Sequence, residues 1–547
     1  MSFQTPTAKC RTFIPGLGTL DGLQYANGVQ QFCGIPYAHL SKRWTRSTLK
    51  TSWKGDYHDG TQLGPIIEGD DADDLVPVAP AEHFNYPRAV DELSGLVMNI
   101  VIPHAFQANA KRLPVFVYVH GGSLLYGGAN LPIFDAVNLV SRSISIGLPI
   151  VSVNFNYRVG IGGFLAGETI ARELQRDGFT GSGNFGFTDQ QVAFKWVQRF
   201  IEFLGGDAEN VTAVGESAGG ISISNQLVAA DPPIFHRAVC MSGLSASIPA
   251  WTMKQHDHFF EAVCRHFKID PAAENALDQL RAIPQQKLAN ATPIIQCVPS
   301  GTGNPCLDGC FYRTGVNPLE VNVSPPWLKA LMIGDTYHEG VIFHLNLLEE
   351  DFYSARRVLQ SHIQNEQQTD HILNAYGITT DLPRAEFLTR MEHMCGDAIF
   401  KIPNYLLAQE CTRRDIPEEG LFLYHFDQRS RLPNAFEGTA YHAHELLYLF
   451  GNLNHKLNDD EQRLAQEFAS AWIHFANGLK PWTGNTERKW MVWGPSSTMQ
   501  LKNEDEDEEV RDYSRMNIML ELEEGHGWKE WLAGVDSLVN RRWKLVT

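Results

Sequence analysis

Three apolar runs in the first half of the chain have the hydrophobic pattern of buried β-strands. They are PVFVYVH at 114–120, PIVSVNFNY at 149–157 and VTAVG at 211–215. Because hydrophobic residues run almost without interruption instead of alternating with polar ones, both faces of each strand should be covered, as in a parallel sheet. Three further apolar runs, 238–243, 329–335 and 421–427, each end in a turn or a polar residue. The pattern predicts a mostly parallel central sheet.

The segment 188–206 has the pattern of a helix that connects two of these strands. Thr188 and Gln191 form a possible capping box, and Val192, Trp196 and Phe200 lie on one apolar face. Gly205 and Gly206 are predicted to end this helix, and a second helical segment, 220–230, follows the strand at 211–215. Strands that alternate with helices predict an α/β fold, in which functional groups gather at the carboxyl ends of the strands.

Length and composition favour one large domain over several. No Ser/Gly-rich or Pro-rich linker interrupts residues 10–535, so a single domain covering 1–547 is predicted. The net charge of -18 argues against a general nucleic-acid-binding protein, which needs clustered Lys and Arg. The acidic runs at 68–74 and 503–510 are interpreted as solvated loops, with cation binding or electrostatic steering as the alternative.

The N-terminus and the cysteines bear on location and metal binding. No signal-like start and no stretch of 18 apolar residues is visible, so we expect no membrane span and a cytoplasmic protein. Nine cysteines, an odd number, are expected to be reduced thiols. Cys306 and Cys310 have no second Cys/His pair at metal-site spacing, and the residue four after His444 is Tyr448, not histidine. No metal is predicted.

The motif Gly215-Glu216-Ser217-Ala218-Gly219 raises the main functional hypothesis. It fits a nucleophile elbow, a tight turn between a strand and a helix that exposes a reactive serine; the alternative is an ordinary serine in a glycine-rich loop. A serine hydroxyl needs a base and an acid that orients the base, in the chain order Ser, acid, His. The residues leave both choices open, between His442 and His444 for the base and among Glu339, Asp335 and Asp427 for the acid.

A serine nucleophile also needs donors for the oxyanion that develops in the transition state. Removal of one such donor can cost about 3 to 4 kcal/mol. The N–H of Ala218, directly after the serine, is one candidate. The glycine-rich stretch HGGSLLYGG at 120–128 follows a predicted strand and could supply others, although a plain glycine turn is the alternative.

Several ordered segments of the chain resemble type-B carboxylesterases, the cholinesterase-like branch of the α/β-hydrolases. They are FCGIPYA at 32–38, VHGGSLLYGG at 119–128, VNFNYRVGIGGFL at 153–165, the long block at 183–220, FHRAVCMSG at 235–243, HEGVIF at 338–343 and HAHELLYLFG at 442–451. The resemblance implies an α/β-hydrolase fold, with a mostly parallel sheet flanked by helices and large helical insertions that form the pocket. It also implies ester hydrolysis without a cofactor.

Carried over residue by residue, the resemblance resolves the open choices. It implies a catalytic triad of Ser217, Glu339 and His442, with His444 at a non-catalytic position. The implied oxyanion donors are the backbone amides of Gly122, Ser123 and Ala218, although the family usually has glycine where this chain has Ser123. Gly121, Glu216 and Trp251 are candidate substrate-binding residues. Glu216 is expected to support the site, and Trp251 is a candidate wall of the acyl pocket or a core tryptophan.

The cysteines depart from the pattern of secreted relatives. In those relatives, a cysteine at the position of Cys264 is expected to pair with one at the position of Gln279, so this chain lacks the second cysteine of that bridge. The early-loop bridge is also expected to be missing, because Gly64 and Gly95 lie near the places where its cysteines would be. We therefore expect stability to come from packing, in agreement with a reducing compartment.

The sequence thus predicts a serine hydrolase that cleaves a small or hydrophobic organic ester through an acyl-enzyme. The alternatives are an acyltransferase that uses the same triad on a specialised metabolite, and a non-catalytic cholinesterase-like binding protein. Choline recognition is a weaker candidate, because the loop at 64–95 contains only Phe84 and Tyr86 as aromatic residues. The expected partner is a small-molecule ester, and no oligomeric state is predicted.

Overall fold

The computed structural model describes residues 4–67, 78–104, 111–231, 235–296, 304–318, 325–413, 420–482, 489–520 and 527–540. Within these ranges the strands are β1 Pro6–Ile14, β2 Gly18–Tyr25, β3 Val29–Pro36, β4 Ala38–His39, β5 Thr48–Leu49, β6 Tyr57–Asp59, β7 Val97–Pro103, β8 Leu113–Val119, β9 Val151–Phe155, β10 Gly206–Glu216, β11 Arg237–Met241, β12 Ala330–Thr336, β13 Leu421–Phe426, β14 Trp490–Trp493 and β15 Met499–Lys502.

The central sheet is parallel in its middle and antiparallel at both ends. Its strand order is β1-β2-β3-β7-β9-β8-β10-β11-β12-β13-β14-β15, with β6 beside β2 and a separate β4–β5 pair. Strands β9, β8, β10, β11, β12, β13 and β14 run parallel to one another, whereas the pairs β1–β2, β2–β3, β3–β7, β7–β9 and β14–β15 are antiparallel. The mostly parallel sheet predicted from the apolar runs is confirmed. The antiparallel strands at the N-terminal end were not predicted, because residues such as those of KCRTF give β1 no continuous apolar run.

The helices are α1 Val137–Ser145, α2 Gly160–Phe164, α3 Glu168–Arg176, α4 Phe185–Phe200, α5 Ala218–Leu227, α6 Met253–His266, α7 Ala276–Arg281, α8 Gln285–Gln296, α9 His344–Leu347, α10 Phe352–Ile363, α11 Glu366–Ala375, α12 Arg384–Gly396, α13 Ile402–Arg413, α14 Glu445–Phe450, α15 Asp459–Ala476, α16 Glu504–Arg511, α17 Tyr513–Leu520 and α18 Gly527–Val539. A π-helical turn, Asp397–Lys401, joins α12 to α13. Among the helices described, none combines the length and the apolar character that crossing a bilayer requires.

Hydrophobic cores cover both faces of the sheet, which explains the continuous apolar runs. Along β8, Val115 and Val117 belong to one buried cluster, while Phe116 and Tyr118, which point to the opposite face, belong to another. Two smaller clusters form between helices inserted around the sheet. One joins α10–α13 with α17 and α18, and the other surrounds Trp44 and Trp251 between α2, α3 and α6–α8.

The first crossover helix begins earlier than its predicted capping box. Helix α4 starts at Phe185, after Asn184 in the left-handed conformation, so Thr188 lies inside the helix and its hydroxyl donates to the carbonyl of Phe185. Asn184 cannot cap α4 because its side-chain amide bonds both the N–H and the C=O of Cys306, each at 2.8 Å. Gly205, at φ 87°, ends the short 3₁₀ segment after α4, and Gly206 already belongs to β10.

The prediction of a solvated loop at 503–510 was wrong. Asn503 caps helix α16, which contains most of this acidic run. Its Asp507 is buried, with one oxygen 3.1 Å from Nζ of Lys502. Burial of a carboxylate beside cations lets the acidic segment pack against the domain. The other acidic run, 68–74, lies outside the described residues.

Candidate active site

Ser217 lies on a tight turn between a strand and a helix, as the glycine-rich motif predicted. Strand β10 ends at Glu216, Ser217 has φ 54° and ψ -124°, and α5 begins at Ala218. The Ser217 N–H donates to the carbonyl of Met241 at 2.8 Å. Glycine is required at position 215, where an added methyl carbon would lie 2.4 Å from the carbonyl carbon of Gly219. The strained backbone of a non-glycine residue at positive φ marks this turn as a candidate functional element.

Glu339 and His442, more than 100 residues apart, meet beside this turn. Glu339 opens a 3₁₀ turn after β12, and His442 lies just before α14. Nδ1 of His442 lies 2.5 Å from Oε2 of Glu339, and both side chains are buried. A carboxylate can only accept, so Nδ1 carries the proton and Nε2 is the nitrogen left for a proton transfer.

The other oxygen of Glu339 is fixed by two donors. Oε1 accepts from the N–H of Thr336 at 2.5 Å and from the hydroxyl of Ser242 at 2.7 Å. Behind Ser242 lies Glu445, whose Oε1 is 3.5 Å from the same hydroxyl. Burial, reinforced by the charge of Glu339, raises the pKa of Glu445 well above its usual range. The protonated form of Glu445 is therefore favoured relative to that of a solvent-exposed carboxyl group.

The opposite side of the His442 ring faces the serine turn. Nε2 lies 3.1 Å from Oε1 of Glu216, the residue before Ser217, so the imidazole is held between two carboxylates. The ring of Phe400, from the π-helical turn, lies against that of His442 with a centroid distance of 4.8 Å. The imidazole of His442 is thus enclosed by two carboxyl groups and an aromatic ring.

The glycine-rich stretch after β8 lies directly against Ser217. A methyl carbon built on Gly121 would be 3.1 Å from Cβ of Ser217. Ser123 has φ 56°, a left-handed conformation that costs a non-glycine residue roughly 1 to 2 kcal/mol, so its backbone adopts the turn without glycine. In the described part of the chain, the amides of Gly122 and Ser123 donate to no carbonyl or side chain. The N–H of Ala218 is also free of an intrahelical partner, because it is the first residue of α5.

His120 anchors this stretch from behind. Its Nδ1 donates to the carbonyl of Gly121 at 2.8 Å, and its ring stacks on Tyr157, whose hydroxyl donates to the carbonyl of His120. Burial lowers the pKa of His120 to about 4, so the ring is neutral at physiological pH. A neutral ring can keep this arrangement without a buried charge next to the candidate oxyanion donors.

The other candidate acids and the second histidine have different partners. Asp335 contacts Nδ1 of His425 at 2.8 Å and Nη1 of Arg511 at 2.7 Å, and Arg511 also binds Asp427. Burial opposes the charge on Asp335, but His425 and Arg511 outweigh this effect and lower the pKa of Asp335 to about 2.

His444, the second candidate base, lies away from the Glu339–His442 pair. Its ring stacks on Tyr441 at a centroid distance of 4.7 Å. Burial lowers the pKa of His444 to about 3, so it is a neutral core residue.

Trp251 and the cysteines lie outside this group. Trp251 is buried in the cluster between α2, α3 and α6–α8, where its ring contacts His256 and Phe259, as expected of a core tryptophan. Seven of the nine cysteines, among them Cys264, Cys306 and Cys310, are free thiols.

Two residues of the site were not anticipated. Ser242 follows β11, and its position at the carboxyl end of a parallel strand was a signal that could have identified it. Phe400 had no such signal, because only the π-helical turn between α12 and α13 directs its ring toward His442.

Comparisons with known proteins identify the family and the fold of the chain. The sequence model of the Carboxylesterase family matches residues 7–519. Lipase 3 of Yarrowia lipolytica is 28% identical over 86% of this chain and 89% of its own length, and para-nitrobenzyl esterase of Bacillus subtilis is 27% identical over 85% and 89%. A solved structure of a thermophilic PNB esterase superposes with a TM-score of 0.73 at 24% identity, over 93% of this chain and 99% of the other, and shows the same fold. The chain therefore belongs to the Carboxylesterase family and is a carboxylic ester hydrolase with the α/β-hydrolase fold.

Proposed function

We propose that Ser217, Glu339 and His442 form the catalytic triad of this esterase. The observation that carries the proposal is the His442 ring, fixed by Glu339 on one nitrogen and facing the Ser217 turn with the other. In the first half-reaction, the Ser217 oxygen attacks the ester carbonyl while Nε2 of His442 takes the hydroxyl proton. For this transfer the oxygen must come within about 2.6 to 3.2 Å of Nε2.

The amides of Gly122, Ser123 and Ala218 would hold the oxyanion of the tetrahedral intermediate. The imidazolium then gives its proton to the leaving alkoxide, and an acyl-enzyme forms on Ser217. In the second half-reaction, His442 takes a proton from water, which attacks the acyl group. The bond to the Ser217 oxygen then breaks, His442 returns the proton to that oxygen, and the acid is released. Glu339 keeps the ring oriented, and Glu216 adds negative charge beside the imidazolium.

The substrate is proposed to be a small or hydrophobic organic ester. Phe400 offers an apolar surface beside His442. The one acidic residue next to Ser217 in the chain, Glu216, contacts the imidazole of His442. The two relatives named above are a lipase and a para-nitrobenzyl esterase, so the family resemblance supports the ester bond as the target and leaves the acyl and alcohol parts to experiment.

Labelling with a fluorophosphonate, followed by mass spectrometry, tests the nucleophile. The modification should fall on Ser217 and should be lost in Ser217→Ala; label on another residue, or equal labelling of the variant, would refute the proposal. A panel of esters, thioesters and lactones then defines the substrate class. If an added alcohol yields product esters in place of free acid, the acyl-transfer alternative is favoured.

A further inference from the structure

At Gly340 and Gly396, the backbone of helix α12 packs directly against the turn that carries Glu339. A methyl carbon built on Gly340 would lie 1.7 Å from the carbonyl oxygen of Glu392, and one built on Gly396 would lie 2.4 Å from the N of Gly340 and 3.1 Å from Cβ of Glu339. No side chain separates the helix from the turn. A displacement of α12 must therefore displace Glu339 as well.

The side chain of Glu392, on α12, reaches both ends of the same turn. It is buried, with Oε1 accepting from Nδ1 of His344 at 2.6 Å and Oε2 lying 3.3 Å from Nε2 of His338. His338 comes directly before Glu339, and His344 directly follows the turn Glu339–Phe343. One buried carboxylate thus contacts the residues on either side of the candidate catalytic acid, through a hydrogen bond to His344 and a close N···O contact with His338.

His338 also connects the acid turn to the loop of the candidate base. Its N–H donates to the carbonyl of Ala440 at 2.8 Å, and it forms a β-bridge with Tyr441, the residue before His442. The ring of His338 stacks on that of His393, also on α12, at a centroid distance of 4.1 Å. His338 therefore joins the turn of the candidate acid to the loop of the candidate base, and the side chain of His338 contacts Glu392.

We propose that Glu392 is a positioning residue of the esterase site. Acting through His338 and His344, it keeps the acid turn and the base loop in the register that brings Glu339 to 2.5 Å from His442. A carboxylate has two acceptor oxygens that can face two imidazoles at once, which suits Glu392 to this role. The inference rests on the triad proposed above.

The test compares Glu392→Gln and Glu392→Asp with a control on the same helix, Glu386→Gln, whose carboxylate is exposed and pairs with Arg390. Exhaustive fluorophosphonate labelling counts competent active sites, and ester hydrolysis then gives KM and kcat per labelled site. We expect Glu392→Gln to lower kcat per labelled site by about 10-fold or more with KM changed less than about twofold, because small misplacements of catalytic groups have large effects. Glu392→Asp, which keeps the charge, should recover part of the loss, and Glu386→Gln should match the wild type.

A kcat per labelled site in Glu392→Gln that equals the wild-type value would overturn the inference. So would a loss confined to the number of labelled sites, since that indicates a purely structural role. Should Glu392→Gln not fold, His344→Asn removes the contact between His344 and Glu392 by a change at a half-exposed side chain. An unchanged kcat per labelled site in His344→Asn would also overturn the inference. Failure of the wild type to label at Ser217 would instead refute the proposed triad.

Discussion

Gly219→Ala tests whether close packing of the serine turn sets the reactivity of Ser217. Gly219 is the second residue of α5, two positions after Ser217. A methyl carbon at this position would lie 2.0 Å from the carbonyl oxygen of Val119 and 3.1 Å from that of His120. Both atoms are backbone, so no side chain can rotate away to make room.

The distances give the size of the effect. A carbon atom and a carbonyl oxygen ordinarily approach to about 3.3 Å, so α5 must move away from β8 by about 1 Å or more. Overpacking of this kind destabilises a protein by roughly 1 to 3 kcal/mol. A displacement of about 1 Å at the nucleophile can lower the rate by about 100-fold. We therefore expect a folded but slow enzyme.

The assay is the second-order rate of fluorophosphonate labelling, measured with kcat/KM and the melting temperature. The matched control is Gly534→Ala, in helix α18. A methyl carbon at Gly534 would lie 3.2 Å from Cδ2 of Leu359, at the end of a side chain that can move. That variant should react at the wild-type rate and gain up to about 1 kcal/mol in the free energy of unfolding. If folded Gly219→Ala labels as fast as the wild type, the reasoning that tight packing positions Ser217 is refuted.

Three further predictions concern buried groups. Because the pKa of Asp335 is about 2, below roughly 3.9 in an unfolded chain, its charge stabilises the fold above pH 4 by about 2 to 3 kcal/mol, and this contribution is lost as the pH falls toward 2. The urea midpoints of the wild type and Asp335→Asn should therefore approach each other in acid, and a constant separation down to pH 2 would contradict this. His442→Phe should lower kcat by at least about 1,000-fold, whereas His444→Phe, at a neutral stacked ring, should keep most of the activity; equal losses would show that the two histidines are wrongly assigned. Dithiothreitol should leave the melting temperature unchanged, since seven of the nine cysteines are free thiols, and a fall of several degrees would reveal a bridge.

Much of the fold could be predicted where the local pattern and the tertiary environment agree. The apolar run that became β10 is buried on both faces, and Gly215, before Ser217, is required by its contact with Gly219, four positions along the chain. Helix α4 shows the opposite case. Its first turn was misplaced because the side chain of Asn184 is engaged by Cys306, more than 100 residues away, and no local pattern records that contact.

The sequence by itself determined the order of strands and helices around Ser217, the glycine-rich stretch beside it and the set of carboxylates and histidines that could join it, because these features depend on hydrophobic periodicity and backbone freedom over short stretches. The residue pattern alone left open which acid meets which base, the family resemblance implied Glu339 and His442, and the tertiary structure brings these two side chains into contact. Asp335 lies beside Arg511 and His425, His444 stacks on Tyr441, and Glu339 contacts His442. Each of these contacts joins distant segments whose spacing is set by the packing of the whole sheet, and a buried charge takes its ionisation state from the partners that such packing supplies.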